Sequence, residues 1–245
     1  MEMPHLLELF SGTGSVGRAF REIGWDVTFV DLNPKAGADY TCDICDWEPP
    51  EGVHYDHIHA SPPCTEFSRA LTTRPRDLAA GLRPALRALE LIRRLKPSSY
   101  TLENPGTGLM PQQEAFRDLP CKQVTYCRYG FPYRKLTWFA TDLGGFWQPP
   151  PVGTATDPWA QKVGSRHPES AQRGPCKAGG VKFGGHCTQA QLYSIPSGLC
   201  DEIAAAASKA LGYPLALCCS GELLSQKVGH PSSEMGHHSS EFDNP

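Results

Sequence analysis

The 245-residue chain is 40% hydrophobic and 20% charged, which suits one large domain, or one domain with a small insertion. It has no run of about 18 apolar residues and no charged-then-apolar start with a small-residue cleavage site, so neither a membrane span nor a signal peptide is expected. The ten cysteines are irregularly spaced in a long chain, which points to reduced intracellular thiols and away from a disulfide scaffold.

The net charge of −3 hides an asymmetry. Residues 1–60 hold three Lys/Arg against eleven Asp/Glu, whereas residues 69–96 hold eight basic residues against Asp77 and Glu90. Such a patch can steer a polyanion, and Arg83, Arg87 and Arg94 are candidates to track phosphates. The plainer alternative is a solvated helix face.

In chain order, HLLELF (5–10) reads as a first strand, SGTGS as a turn and VGRAFREIGW as a helix. WDVTFVDLN alternates like a strand and ends on Asp31. YTCDICDW is a third strand-like piece, with Asp43 at its end, and YDHIHA is a fourth. From Leu78 to Leu95 apolar residues recur at helical spacing, with Pro84 in the first turn or at a kink. SYTLENP, KQVTYC and LTWFAT supply three more strands. Strands alternating with helices predict an α/β fold: a doubly wound, mostly parallel, Rossmann-like sheet with ligands at the strands' carboxyl ends.

Residues 144–186 are rich in Gly and Pro and break this pattern, so they read as a short insertion after a catalytic domain spanning 1–143. The insertion interleaves Lys162, Arg166, Arg173, Lys177 and Lys182 with Phe146, Trp147, Trp159 and Phe183. That mixture suits nucleic acid, or equally a small core of its own. His167, Cys176, His186 and Cys187 match no standard zinc spacing, and no metal is expected. A helix returns within 187–220, with Ser197 as a cap and Gly212 near its end. Residues 221–245 are polar and aperiodic, as in a disordered tail.

The residues suited to chemistry fall at the predicted strand ends. FSGTGSVG (10–17) permits close backbone approach to a ligand at a helix amino end, and the absence of a following Gly-Lys-Ser/Thr excludes a P-loop. Asp31 is placed to meet ribose hydroxyls or to act as an ordinary turn aspartate. Asp43 could reach an adenine amino group. The surrounding CDIC has metal or redox spacing, but a lone pair favours structural cysteines. SPPC (61–64) and LENP (102–105) end the next two strands. Neighbouring strands lie about 5 Å apart, so Cys64 and Glu103 can share a pocket. No His partner for Cys64 is apparent, which argues against a papain-like protease.

These motifs, in this order over about residues 5–141 and 191–212, resemble the DNA (cytosine-5) methyltransferase family. FSGTGSVG is similar to its cofactor loop, DHIHASPPCTEFS to its nucleophile loop, and TLENP to its Glu-Asn loop. YGFPYRKLTWFAT is similar to the later strand with basic contacts, and LYSIPSGLCDEI to the closing helix. The resemblance implies methyl transfer from S-adenosylmethionine to C5 of a flipped-out cytosine, through attack of Cys64 on C6. Glu103 would hold or protonate N3 and Asn104 would steady the loop. Phe10, Gly12, Gly14, Asp31 and Asp43 would contact S-adenosylmethionine, with Pro62 beside its methionine end. The implied partner is nucleic acid, double-stranded DNA by the family's prevailing substrate, acted on by an intracellular monomer.

The chain also departs from the family pattern. Thr65 stands where the family has Gln, and Glu-Asn-Pro replaces Glu-Asn-Val, restricting Asn104 to an extended backbone. Where the family has Gln-x-Arg-x-Arg, this chain has Tyr133, Lys135 and Thr137, with Arg134 displaced by one. Arg134 or Lys135 is therefore the candidate for base or phosphate binding. An RNA cytosine-5 methyltransferase and a non-catalytic binding relative are the alternative readings. Retention of both Cys64 and Glu103 favours activity.

Overall fold

The computed structural model of the protein describes residues 3–153, 167, 177–178, 181–182 and 192–214. The expected tail, most of the insertion, the basic and aromatic residues Trp159, Lys162, Arg166, Arg173 and Phe183, and the zinc candidates Cys176, His186 and Cys187 lie outside the described residues.

One sheet takes in seven of the described strands: β1 (His5–Leu9), β2 (Asp26–Asp31), β3 (Tyr40–Thr41), β4 (His57–Ala60), β5 (Ser99–Pro105), β6 (Cys121–Thr125) and β7 (Leu136–Thr141). Their spatial order is β3-β2-β1-β4-β5-β7-β6. The strands from β3 to β5 run parallel, while β7 runs antiparallel to both β5 and β6. The chain winds outward from β1 to β3, then returns to β4 on the other side of β1. That reversal opens a crevice at the carboxyl ends of β1 and β4, where such sheets bind ligands. A small separate ladder pairs Lys177–Ala178 with Val181–Lys182.

Three α-helices cover the sheet: α1 (Ser15–Glu22), α2 (Leu78–Leu95) and α3 (Ser197–Leu211). Strand alternation divides the apolar residues between two layers. Leu6, Val27, Val124 and Phe139 join Phe20 of α1 and Leu199 and Ile203 of α3 on one side. Leu7, Leu9, Ile58 and Leu102 join Ala85, Leu89 and Ile92 of α2 on the other. Leu199 is fully buried, so Leu199→Ala would cost about 2–5 kcal/mol. The α1–α3 side also buries a polar row. His57 bridges Ser99 (2.7 Å) and Thr101 (3.1 Å), and His59 bridges Thr101 (2.8 Å) and Ser61 (3.0 Å), tying β4 to β5 and to the chain leaving β4. Burial holds both imidazoles neutral, His59 down at about 3.

Three local expectations are corrected. The third strand stops at Thr41, because the Cys45 N–H turns back onto the Asp43 side chain, so Asp43 sits in the following turn. Pro84 lies in the second turn of α2; Asp77 caps that helix by accepting the Ala80 N–H at 2.9 Å. Ser197 is the first helical residue of α3, and the Pro196 carbonyl accepts the N–H groups of Leu199 and Cys200 at 3.0 Å each. Gly212 ends α3 at φ 72°, as its position predicts.

Candidate active site

The turn after β1 is built for close approach. Phe10, Gly12 and Gly14 adopt φ of 58°, 51° and 63°, so three of five residues are left-handed. Glycine takes that conformation freely, whereas at Phe10 it costs about 1–2 kcal/mol, a strain the surrounding fold has to hold. The Gly12 N–H donates to Asp31 Oδ2 at 2.7 Å and the Asn33 N–H to Asp31 Oδ1 at 2.7 Å. Asp31 therefore fastens the ends of β1 and β2 together, and each oxygen keeps a lone pair for a hydroxyl. Leu32, 70% exposed, places an apolar side chain directly beside this acid. Gly14 offers no side-chain cap to α1. Left-handed backbone, an acid and an apolar ledge leave room for close approach of a ligand, with Asp43 in the adjoining turn.

One acid of this turn carried no functional signal in the sequence beyond its place inside an apolar run. Glu8, on β1, is buried, and its Oε2 accepts the Gly17 N–H at 2.7 Å. It supplies the partner that the first turn of α1 lacks. Burial raises its pKa from 4.5 to about 8. Gly17 must be glycine, because a Cβ there would lie 2.6 Å from Glu8 Oε2 and 2.4 Å from the Phe29 ring.

The nucleophile candidate follows β4. Pro62 is buried and Pro63 exposed, and neither offers an N–H. The loop is held from outside: the Ser61 N–H donates to the Leu9 carbonyl at 3.3 Å, and Asn104 Nδ2 donates to the Pro62 carbonyl at 3.0 Å. Cys64 then sits at φ −93°, ψ 1°, starting a single 3-10 turn over Thr65–Phe67, with the Phe67 ring buried as an anchor. Glu66 gathers the rest of the loop, pairing with Arg74 and accepting the Asp77 N–H at 2.8 Å. Asn104 Oδ1 is buried with no hydrogen-bond partner among the described residues.

Glu103 is one residue before Asn104 on β5, next to β4. Its Oε1 accepts a long hydrogen bond from the Tyr126 hydroxyl at 3.4 Å and lies 3.8 Å from Lys135 Nζ. Lys135 in turn donates to the Leu192 carbonyl at 3.1 Å and stands 4.6 Å above the Tyr126 ring. Burial raises the Cys64 thiol pKa, the Glu103 charge adds to that, and Lys135 opposes it. The charges of Glu103 and Lys135 thus both reach Cys64.

The other basic candidates separate from it. Arg134 Nε donates to the Gly153 carbonyl at 3.0 Å, at the start of the insertion. The arginines of α2, candidates to track phosphates, have acidic neighbours within the fold. Arg87 pairs with Glu48 (2.5 Å) and Glu90 (2.8 Å) and donates to the Trp47 carbonyl, while Arg94 takes the other Glu48 oxygen at 2.6 Å. Arg83 lies 3.9 Å from Asp46. Cys42 and Cys45 are free thiols beside Asp43.

No family model matches the chain. Over 158 residues it is 37% identical to the "Probable DNA (cytosine-5)-methyltransferase" of Frog virus 3 (isolate Goorha), an alignment covering 58% of this chain and 72% of that protein. Among solved structures, it is similar to a protein described as a DNA modification methyltransferase encoded within an E. coli prophage. That likeness has 18% identity and a TM-score of 0.48, covering 63% of this chain and 53% of the other. A Spodoptera frugiperda DNMT2 mutant gives 21% identity and a TM-score of 0.43, with 56% and 49% covered. The chain spans about half the length of these solved structures.

Proposed function

The chain belongs to the DNA (cytosine-5) methyltransferase family, and from that premise we propose that it transfers a methyl group from S-adenosylmethionine to C5 of a cytosine in DNA. The observation that carries this reading is the meeting of Cys64, Glu103 and Asn104 at adjoining strand ends, with the Asn104 amide holding the Pro62 carbonyl. S-adenosylmethionine, when bound along the turn after β1 with Asp31, Asp43 and Pro62, supplies an electrophilic methyl group. C5 of cytosine is too weak a nucleophile to take it unaided. Cys64 Sγ, as thiolate, forms a bond to C6, and the electron pair of the C5–C6 double bond becomes available at C5. Glu103, as the acid, gives a proton to N3, which neutralises the negative charge that the addition places on the ring, and it takes that proton back when the double bond re-forms. After C5 is methylated, a base takes the C5 proton, the double bond re-forms and Cys64 leaves as thiolate.

The mounting of Cys64 follows from this role. C6 is reachable only on a base turned out of the stack, and two prolines with an external amide clamp set the thiol at a fixed height for it. The raised thiol pKa means that Cys64 rests protonated and reacts once the pocket is filled.

A duplex carrying 5-fluorocytosine tests the reading, because fluorine does not leave as the proton does. With S-adenosylmethionine present, the expected product is a covalent adduct that mass spectrometry places on Cys64 and that Cys64→Ala abolishes. An adduct on Cys42, Cys45 or Cys127 would overturn the assignment of the nucleophile. An adduct with fluorinated RNA alone would move the substrate to RNA.

A further inference from the structure

We propose that Tyr126, carrying the Lys135 ammonium on its ring, is the positioning device of the pocket: it ties Glu103 by one carboxylate oxygen and leaves the other for the base. The inference rests on the reading of Glu103 given above. Neither Tyr126 nor its pairing with Lys135 is apparent from the sequence, because Tyr126 follows β6 whereas Lys135 precedes β7. The antiparallel turn between those strands brings them together beside β5.

Four observations support this assignment. Both contacts to Glu103, from the Tyr126 hydroxyl at 3.4 Å and from Lys135 Nζ at 3.8 Å, fall on Oε1. Oε2 has no hydrogen-bond or ion-pair partner among the described residues. Tyr126 is fully buried, and burial followed by the Glu103 charge pushes its phenol well above the usual range, so it remains a donor at every working pH. Lys135 cannot swing freely: the Leu192 carbonyl at 3.1 Å and the Tyr126 ring at 4.6 Å hold its ammonium over the pocket. A carboxylate fixed at one oxygen loses the rotational freedom it would otherwise give up on meeting the base. The same ammonium also favours the Cys64 thiolate over the thiol.

The test separates the hydroxyl from the charge. Tyr126→Phe keeps the ring under Lys135 and removes the hydroxyl, with its 3.4 Å contact to Glu103 and the 3.5 Å contact it accepts from Lys135 Nζ. It should lower kcat about tenfold, with KM for S-adenosylmethionine, the unfolding temperature and the pH profile of Cys64 alkylation by iodoacetamide all unchanged. Lys135→Met should lower kcat and also move the alkylation profile to higher pH, and Lys135→Arg should restore that profile. Wild-type kcat in Tyr126→Phe, or an unmoved alkylation profile in folded Lys135→Met, would overturn the proposal. The alkylation arm needs no substrate. If the wild type methylates no nucleic acid, the function reading fails, and that arm still decides whether Lys135 acts on the pocket.

Discussion

Helix α2 carries four arginines along one stretch, while only Arg134 and Lys135 lead into β7. By count, the helix is the polyanion surface and the pair is incidental. The contacts reverse that ranking. Arg87 and Arg94 meet Glu48 and Glu90, and Arg83 lies 3.9 Å from Asp46, so part of the helix's charge is met within the fold. Lys135, a single cation, lies 3.8 Å from the mostly buried Glu103 carboxylate, where water screens little, and its charge favours the Cys64 thiolate. A cation's consequence depends on what else can reach it, which a run of basic residues does not reveal.

The largest effect expected from this contrast is on the pocket side. Glu103→Gln should reduce kcat by about 10²–10⁴-fold with no matching loss of unfolding temperature. A variant that loses stability in step with activity would place Glu103 among the structural charges instead.

Glu8 sharpens the contrast, being a buried carboxylate bonded to backbone N–H rather than to a cation. Its pKa is raised from 4.5 to about 8, so in that window the folded chain keeps a proton that the unfolded chain has lost. Stability from this group is complete below about pH 4.5 and falls as the pH rises through about 8, on the order of a few kcal/mol. Urea midpoints measured from pH 5 to 8.5 should show that decline, and Glu8→Gln, whose amide oxygen can still accept the Gly17 N–H, should flatten it.

On the helix side, Arg87→Ala removes a mostly buried guanidinium from two carboxylates and two carbonyls. It should cost about 2–3 kcal/mol in chemical denaturation, with kcat per folded molecule unchanged. The smallest effect concerns nucleic-acid binding as a function of salt. Neutralising Arg83 and Arg94 together should leave the slope of log K against log salt unaltered. Arg69, exposed on the Cys64 loop, should account for about one unit of slope when changed to Ala. A flatter slope on losing Arg83 and Arg94 would return α2 to the role suggested by its composition.

Much of the fold was legible because it depends on short-range pattern. Apolar alternation marked β1, β2 and β4, helical spacing marked α2, and the strand-end positions of Cys64 and Glu103 followed from the prolines and the Glu-Asn pair. Features set by distant partners were not legible. Glu48, which pairs with both Arg87 and Arg94, lies about forty residues earlier, beyond a strand and a turn. Tyr126 carried no signal because its value comes from the reversed direction of β7, which short runs of apolar residues do not encode. Glu8 stood in plain view as an acid within an apolar run, and only the close approach of Gly17 gives it a purpose.

Residues 154–191, which hold most of the insertion, are bracketed by contacts to adjacent residues: Arg134 holds Gly153 before them and Lys135 holds Leu192 after them. The two points that bracket these 38 residues are thus held by neighbouring side chains. The entropy of closing such a segment grows only logarithmically, about 0.6 kcal/mol for each doubling of length. A segment of different length between these two points would therefore change the closure cost little, while Arg134 and Lys135 keep its ends in place.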